Sequence, residues 1–299
     1  MEEVYRYALV AGTVAKNHDF DVIHAHDWLT YSAGIIAKKI SGKPLIVHVH
    51  ATEYDRGGEF NRNTLVYDIE KRGMEAADRV VTVSNWTRNI VIEKYGIPAE
   101  KVITVHNAVD FKTDTEDREE RGIKDKIVTF LGRITLQKGP EYFVEAAAKV
   151  MKRLPNVRFV MAGSGEKMNP LVRRVAQLGL GTRFHFTGFL RGNDVQRMFR
   201  YSDVYVMPSV SEPFGISPLE AMRSGVPTII SKQSGVAEVL HHAIKVDYWD
   251  INALADAIYG VLAYPTLSNF MQREGYEEVN QLKWETASLK LKKIYESLM

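Results

Sequence analysis

The chain has 299 residues, enough for two ordinary domains with a core each. Its 39 basic and 37 acidic residues leave a formal charge of +2 with no basic block, which argues against nucleic acid as a partner. The absence of cysteine excludes disulfides and thiolate metal sites, and no apolar run approaches the roughly 18 residues of an integral membrane segment.

The N-terminus has no signal-peptide pattern, so a cytoplasmic location is expected. In chain order, Val4, Ala8, Ala11 and Ala15 fall at helical spacing in "EEVYRYALVAGTVAKNH", and "DVIHAH" at 21 to 26 then predicts a strand. Alternation follows: helix about 31 to 40, strand 45 to 50, helix 62 to 77, strand 79 to 83, helix 86 to 95, strand 102 to 105. These strands are continuously apolar or β-branched, as in parallel sheets covered on both faces. "KTDTEDREERGIKDK" at 112 to 126 is charged and aperiodic, which predicts a linker or surface loop. Five more strands follow, in "IVTFLG", "VRFVMAG", "RFHFTG", "DVYVMPS" and "PTIIS". Helical patterns cover about 250 to 280, and an amphipathic helix runs from about Trp284 to Ser297. The class is α/β, with two Rossmann-like domains expected at 1 to 112 and 113 to 299. The first helix has no strand before it, so the first domain opens in the middle of its alternation.

Four histidines, His24, His26, His48 and His50, stand in pairs spaced i, i+2, which places each pair on one face of a strand. A metal site would need at least three ligands converging from adjacent strands with an oriented second shell. His24 and His48 lie inside their strands, where packing is the expected role, and His26 shares the parity of His24. No metal is expected. His50 and Asp27 differ, because each ends its strand at the edge where ligands bind in open α/β sheets. "DFD" at 19 to 21 matches a metal-binding DxD pattern but precedes its strand, at the wrong end of the sheet.

In "FLGRITLQKGPEYFVEAA", Arg133 and Lys138 occupy the turn between a strand and a helix, either as solvated loop charges or as cations for a phosphate. "VMAGSGE" puts Gly163 and Gly165 after the next strand, a weak signal that most often marks a tight turn. "PSVSEPFGISPLEAMRSGVPTIIS" is more specific. Glu212 should sit in a loop, with Ser217 capping a helix, Pro218 at its first position and Glu220 one turn inside.

Glu-x7-Glu in "EPFGISPLE", together with Arg-x4-Lys in "GRITLQK", resembles the retaining GT-B glycosyltransferases of family 4. "HAHDW" and "VHATEYDRGG" resemble more narrowly the glycogen-synthase-like members. The resemblance runs from about residue 1 to the C-terminus. It implies two Rossmann-like domains facing a cleft, with the helix at about 284 to 299 packing back on the first. It implies transfer of a hexose, glucose, from a nucleotide-sugar donor to an oligo- or polysaccharide acceptor such as an α-1,4-glucan. Carried over by position, Arg133 and Lys138 grip the donor diphosphate and Glu220 hydrogen-bonds the ribose. Glu212 and the amides of Phe214, Gly215 and Ile216 hold the sugar, which His50 and Asp27 also touch. Gly163 borders the nucleotide, and the backbone near Leu190 in "FTGFL" frames the base.

No cofactor is expected, because the nucleotide sugar is a substrate and two cations can replace a divalent metal. One cation about 4 Å from the leaving phosphate contributes about 4 kcal/mol at an effective dielectric near 20. A phosphorylase using pyridoxal phosphate is set aside for want of a cofactor-lysine context. The family pattern begins with a strand and a Gly-rich loop that are not found here, so roughly 60 to 90 residues of the first domain are expected to be missing. That would leave "DVIHAH" with an open edge and admits a homo-oligomer or a complementing N-terminal fragment as partner. The alternative function is a truncated, non-catalytic sugar-nucleotide-binding fragment, or one half of a split enzyme.

Overall fold

Parallel sheets fed by helices, the α/β class expected from the alternation, make up both units of the protein. The computed structural model describes residues 1–109 and 121–299. One unit comprises residues 1–107 and 284–299, the other residues 108–283. Of the expected linker, 112 to 120 lie outside the described residues. The rest leads straight into the second sheet, held by Arg121 against Asp203 at 2.7 Å.

The first unit runs α1 (Glu2–Asn17), β1 (Ile23–His26), α2 (Trp28–Ser41), β2 (Leu45–Val49), α3 (Glu53–Gly57), α4 (Thr64–Ala76), β3 (Arg79–Thr82), α5 (Asn85–Tyr95) and β4 (Val102–Thr104). Its strands pair in parallel in the order β1-β2-β3-β4, with His26 opposite His48 and Val47 opposite Val80. β2 is buried along its whole length, and Leu45, Val47, Val80 and Val91 pack with Tyr31, Met74 and Tyr95. Gly73 lets α4 lie on α2: a Cβ there would fall 2.4 Å from the Tyr31 ring. Among the described residues β1 is an edge strand paired with β2 alone. Helix α3 was not expected from apolar spacing. Thr52 and Asp55 build it through a capping box, the Thr52 amide donating to Asp55 Oδ2 at 2.7 Å.

The second unit runs β5 (Lys126–Leu131), α6 (Pro140–Met151), β6 (Val157–Ala162), α7 (Met168–Gln177), β7 (Phe184–Gly188), α8 (Asn193–Tyr201), β8 (Val204–Met207), α9 (Ser217–Arg223), β9 (Thr228–Ser231), β10 (Ile244–Val246), α10 (Ile251–Ala263) and α11 (Pro265–Val279). The strand order is β7-β6-β5-β8-β9-β10, that of a dinucleotide-binding fold. Val128, Phe130, Phe143, Ala147, Phe159, Val204 and Ile229 form the core. The last helix, α12 (Trp284–Glu296), belongs to the first unit, where Ala287 and Ile294 cover Ile46, Val81 and Val105. Among the described residues no helix is long and apolar enough to cross a membrane.

Candidate functional site

In the second sheet the chain leaves β5 toward β6 on one side, while β8 lies on the other side and leads to β9. That reversal opens a crevice beyond the C-terminal ends of β5 and β8, where open α/β sheets bind ligands. The segments after these strands carry the charged motifs picked out in the sequence. Backbone hydrogen bonds join them: Gly132 N to Ala162 O, Ile134 N to Ser164 O and Gly163 N to Gly188 O, at 2.8–3.0 Å. Val210 N to Gln137 O, at 2.8 Å, ties the segment after β8 to the one after β5.

Glycines make this close stacking feasible. A Cβ on Gly163, whose φ is 144°, would stand 1.8 Å from Gly132 O, and one on Gly139 would stand 2.1 Å from Pro208 O. What Gly163 approaches so closely is therefore the protein's own backbone.

Lys138 ends a 3-10 turn (Leu136–Lys138), and its ammonium pairs with the Glu212 carboxylate, which is 6% exposed. Ser209 Oγ donates to the same Glu212 oxygen at 3.2 Å. Glu212 is fixed through its backbone as well, its amide donating to Gln233 O and its carbonyl accepting from Gly235 N. Arg133 is exposed and donates to the side-chain oxygen of buried Gln137 at 3.0 Å. Lys138 and Glu212 are thus brought together by one pair of neighbouring segments, and Arg133 lies in the same segment as Lys138. Ser209 and Gln137 were not singled out, since a serine or glutamine in a loop gives no signal until its partner is known.

Glu220 lies in the first turn of α9, solvent-accessible on one side. Partial burial raises its carboxyl above the ordinary range, and Arg223 pulls it back. Two details of this helix differ from expectation. α9 begins at Ser217 with Ile216 as the residue before it, and the Ser217 hydroxyl bonds the Tyr205 hydroxyl at 2.7 Å instead of capping the helix. The Phe214 side chain is 2% exposed and belongs to the core, so only its backbone can face a ligand. Gly215 has φ 99° and Ile216 is 41% exposed. Leu190 is half-buried just past β7.

In the first unit, Asp27 is the single non-glycine residue with positive φ (57°) among the described residues. Its carboxylate accepts from the His50 amide at 2.8 Å and the Ala51 amide at 3.3 Å. Asp27 thereby fixes the backbone that presents His50 just past β2, and the backbone strain falls where a functional constraint is expected. The segment after His50 is anchored by Arg56, which bridges Glu53 and buried Glu70. Burial lifts the Glu70 carboxyl despite that partner. His24, His26 and His48 share one face of β1 and β2, their rings stacked with centroids 4.3–5.3 Å apart. His26 is exposed, whereas His48 is 5% exposed.

The family described as Glycosyl transferases group 1 matches residues 113–278, more than half of the chain. The chain belongs to that family. Residues 3–113 match the family described as Glycosyltransferase Family 4. Of individual relatives, an uncharacterized glycosyltransferase of Methanocaldococcus jannaschii is 34% identical over 239 residues, 76% of this chain and 61% of the relative. The chain therefore spans about three fifths of that relative's length. A glycogen synthase of Mycobacterium tuberculosis is 23% identical over 92% of this chain and 68% of its own. Among solved structures, Anabaena HepE in complex with UDP-glucose superposes with a TM-score of 0.84 at 22% identity, covering 98% of this chain and 82% of that one. The fold of this group 1 chain is thus shared with GT-B glycosyltransferases. Every residue of the Lys138–Glu212 cluster lies within the stretch matching group 1.

Proposed function

We propose that the protein is a retaining hexosyltransferase that takes glucose from a nucleoside-diphosphate sugar and passes it to a glycan acceptor, an α-1,4-glucan in the first instance. The observation carrying this is the meeting of Lys138 and Glu212 beyond the ends of β5 and β8. A diphosphate leaving group needs fixed positive charge while the anomeric carbon becomes electron-poor, and pre-placed cations meet that need without reorganising. Lys138 and Arg133 grip the diphosphate. Glu212, held by Ser209, is a rigid acceptor for sugar hydroxyls, with the backbone of Phe214, Gly215 and Ile216 beside it. Glu220 accepts from the ribose hydroxyls, Gly163 borders the nucleotide, and the chain at Leu190 frames the base. His50 and Asp27 keep the sugar-contacting role that the sequence resemblance gives them. Donor binding requires no metal.

UDP-glucose in the Anabaena structure and the name of the mycobacterial relative support UDP-glucose and glycogen as the first probes. The test is release of nucleoside diphosphate from UDP-, ADP- and GDP-hexoses, with and without glycogen, in the presence of EDTA. Acceptor-dependent release from one donor is expected. Nucleotide binding without release would favour the non-catalytic binding fragment, and failure to bind any nucleotide would overturn both.

A further inference from the structure

We propose that His24, His26 and His48 bind one divalent transition-metal ion of the zinc type at the C-terminal end of the β1–β2 pair. The expected packing role accounts poorly for what these side chains lack. His48 is 5% exposed, yet neither ring nitrogen has a hydrogen-bond partner, and Nε2 of His24 is likewise buried and unpartnered. An imidazole sealed against the core with both nitrogens unsatisfied costs free energy that valine or leucine would not. A cation restores the balance. One ligand nitrogen from each of the three residues lies within 4.8 Å of the others, so the three ligands from adjacent strands that a metal requires are present.

The surrounding groups favour the same chemistry. Tyr295 Oη lies 2.5 Å from His24 Nδ1, and His50 Nε2 lies 2.9 Å from His26 Nδ1. With hydrogen on each Nδ1, both Nε2 atoms keep a lone pair to offer a cation, and Tyr295 and His50 become the outer partners that metal-binding histidines use. The ligands also stay neutral. Burial first, then the neighbouring histidines, holds His48 down to about 2 and His24 down to about 4. Imidazole ligands without thiolate suit zinc, cobalt, nickel or copper. Zinc nitrogens at about 2.0–2.1 Å stand roughly 3.4 Å apart, so the rings must turn out of their stack to close. Exposed His26 has that freedom and leaves a fourth position to water. The ion would strap the edge strand β1 to its single neighbour.

The test uses the full chain without a polyhistidine tag, stripped with EDTA and titrated with Zn2+ by calorimetry, with Co2+ absorption reporting coordination. One equivalent per chain is expected, with tetrahedral cobalt bands and a higher melting temperature. His26→Ala and His48→Ala should each abolish that equivalent, and Tyr295→Phe should weaken it about 10-fold. His18→Ala, on the exposed end of α1, should leave it unchanged. Because His48→Ala leaves a void in the core, exposed His26→Ala, checked by circular dichroism, decides the question. Absence of stoichiometric binding, or full binding by folded His26→Ala, would overturn the proposal.

Discussion

In the proposed site Lys138 serves two partners, the diphosphate of a donor and the buried carboxylate of Glu212, and this sets how its variants should behave. Lys138→Ala removes a cation from the crevice and leaves Glu212, with a side chain 7% exposed, as an uncompensated charge. Breaking such a pair costs about 3–5 kcal/mol, so this variant should lose both nucleotide affinity and melting temperature. Arg133 is exposed and donates to Gln137. Arg133→Ala should therefore weaken nucleoside-diphosphate binding by about 1.5–3 kcal/mol, the range of a charge-assisted hydrogen bond, at nearly unchanged stability. Adding Glu212→Gln to Lys138→Ala should restore much of the stability and none of the affinity. Titration with UDP beside thermal melts reads both, and wild-type affinity in Arg133→Ala would remove that residue from the site. Gly163→Ala forces a Cβ onto Gly132 O at 1.8 Å, with a backbone φ that alanine resists, so the segments after β5 and β6 should separate and both affinity and stability fall.

At the level of elements, α12 and the β1–β2 pair give the first unit two separable contributions to stability. Ile294 is 6% exposed and packs with Ala287 on Ile46, Val81 and Val105, so Ile294→Ala should cost about 2–4 kcal/mol in a denaturant melt. The histidines add a dependence on pH. His24 and His48 are depressed in the folded chain, to about 4 and about 2, so between pH 6.5 and 4 the unfolded chain takes up protons that the folded chain refuses. Protonation of the unfolded chain therefore leaves stability intact above pH 6.5 and lowers it on acidification in EDTA. A His48→Gln variant should show a flatter acid limb; an identical limb would mean that other groups set it. The strands of both units could be read from their apolar runs because buried parallel strands leave little choice of residue. β10, three residues long with Lys245 at its centre, gave no such run. The cations and carboxylates of the candidate site drew attention in the sequence through the Arg-x4-Lys and Glu-x7-Glu spacings. Their pairing was not legible there, since Lys138 and Glu212 stand 74 residues apart and meet only through the strand order. For the histidines, parity shows which rings share a face, while only register and burial show that both ring nitrogens of His48 are unpartnered among the described residues.

At the scale of the whole molecule, the proposed nucleotide and metal sites fall in different units, 108–283 and 1–107 with 284–299. Their effects should therefore separate by ligand. A ligand at 100 times its dissociation constant adds about 2.7 kcal/mol to the state that binds it. UDP should slow hydrogen exchange in 132–139 and 208–217, the segments that carry Arg133, Lys138 and Glu212, and leave 21–26 as it was. Zn2+ should do the reverse, protecting 23–26 and 45–50 together with the end of α12, where Tyr295 meets His24. Before either ligand is added, protection should already be unequal. β1 is an edge strand with one neighbour, and α1 exposes Tyr5, Leu9, Val10 and Val14, whereas β5 and β8 lie inside a six-stranded sheet. Residues 1–26 should open at low free energy and the core strands of the second unit near the global value. Zn2+ should thus produce its largest change where protection was weakest. Uniform protection by both ligands would show that the units respond as one body and that local binding does not explain the stabilisation. Zn2+ protection confined to 132–139 would move the metal to the nucleotide site and sink the assignment to the histidines.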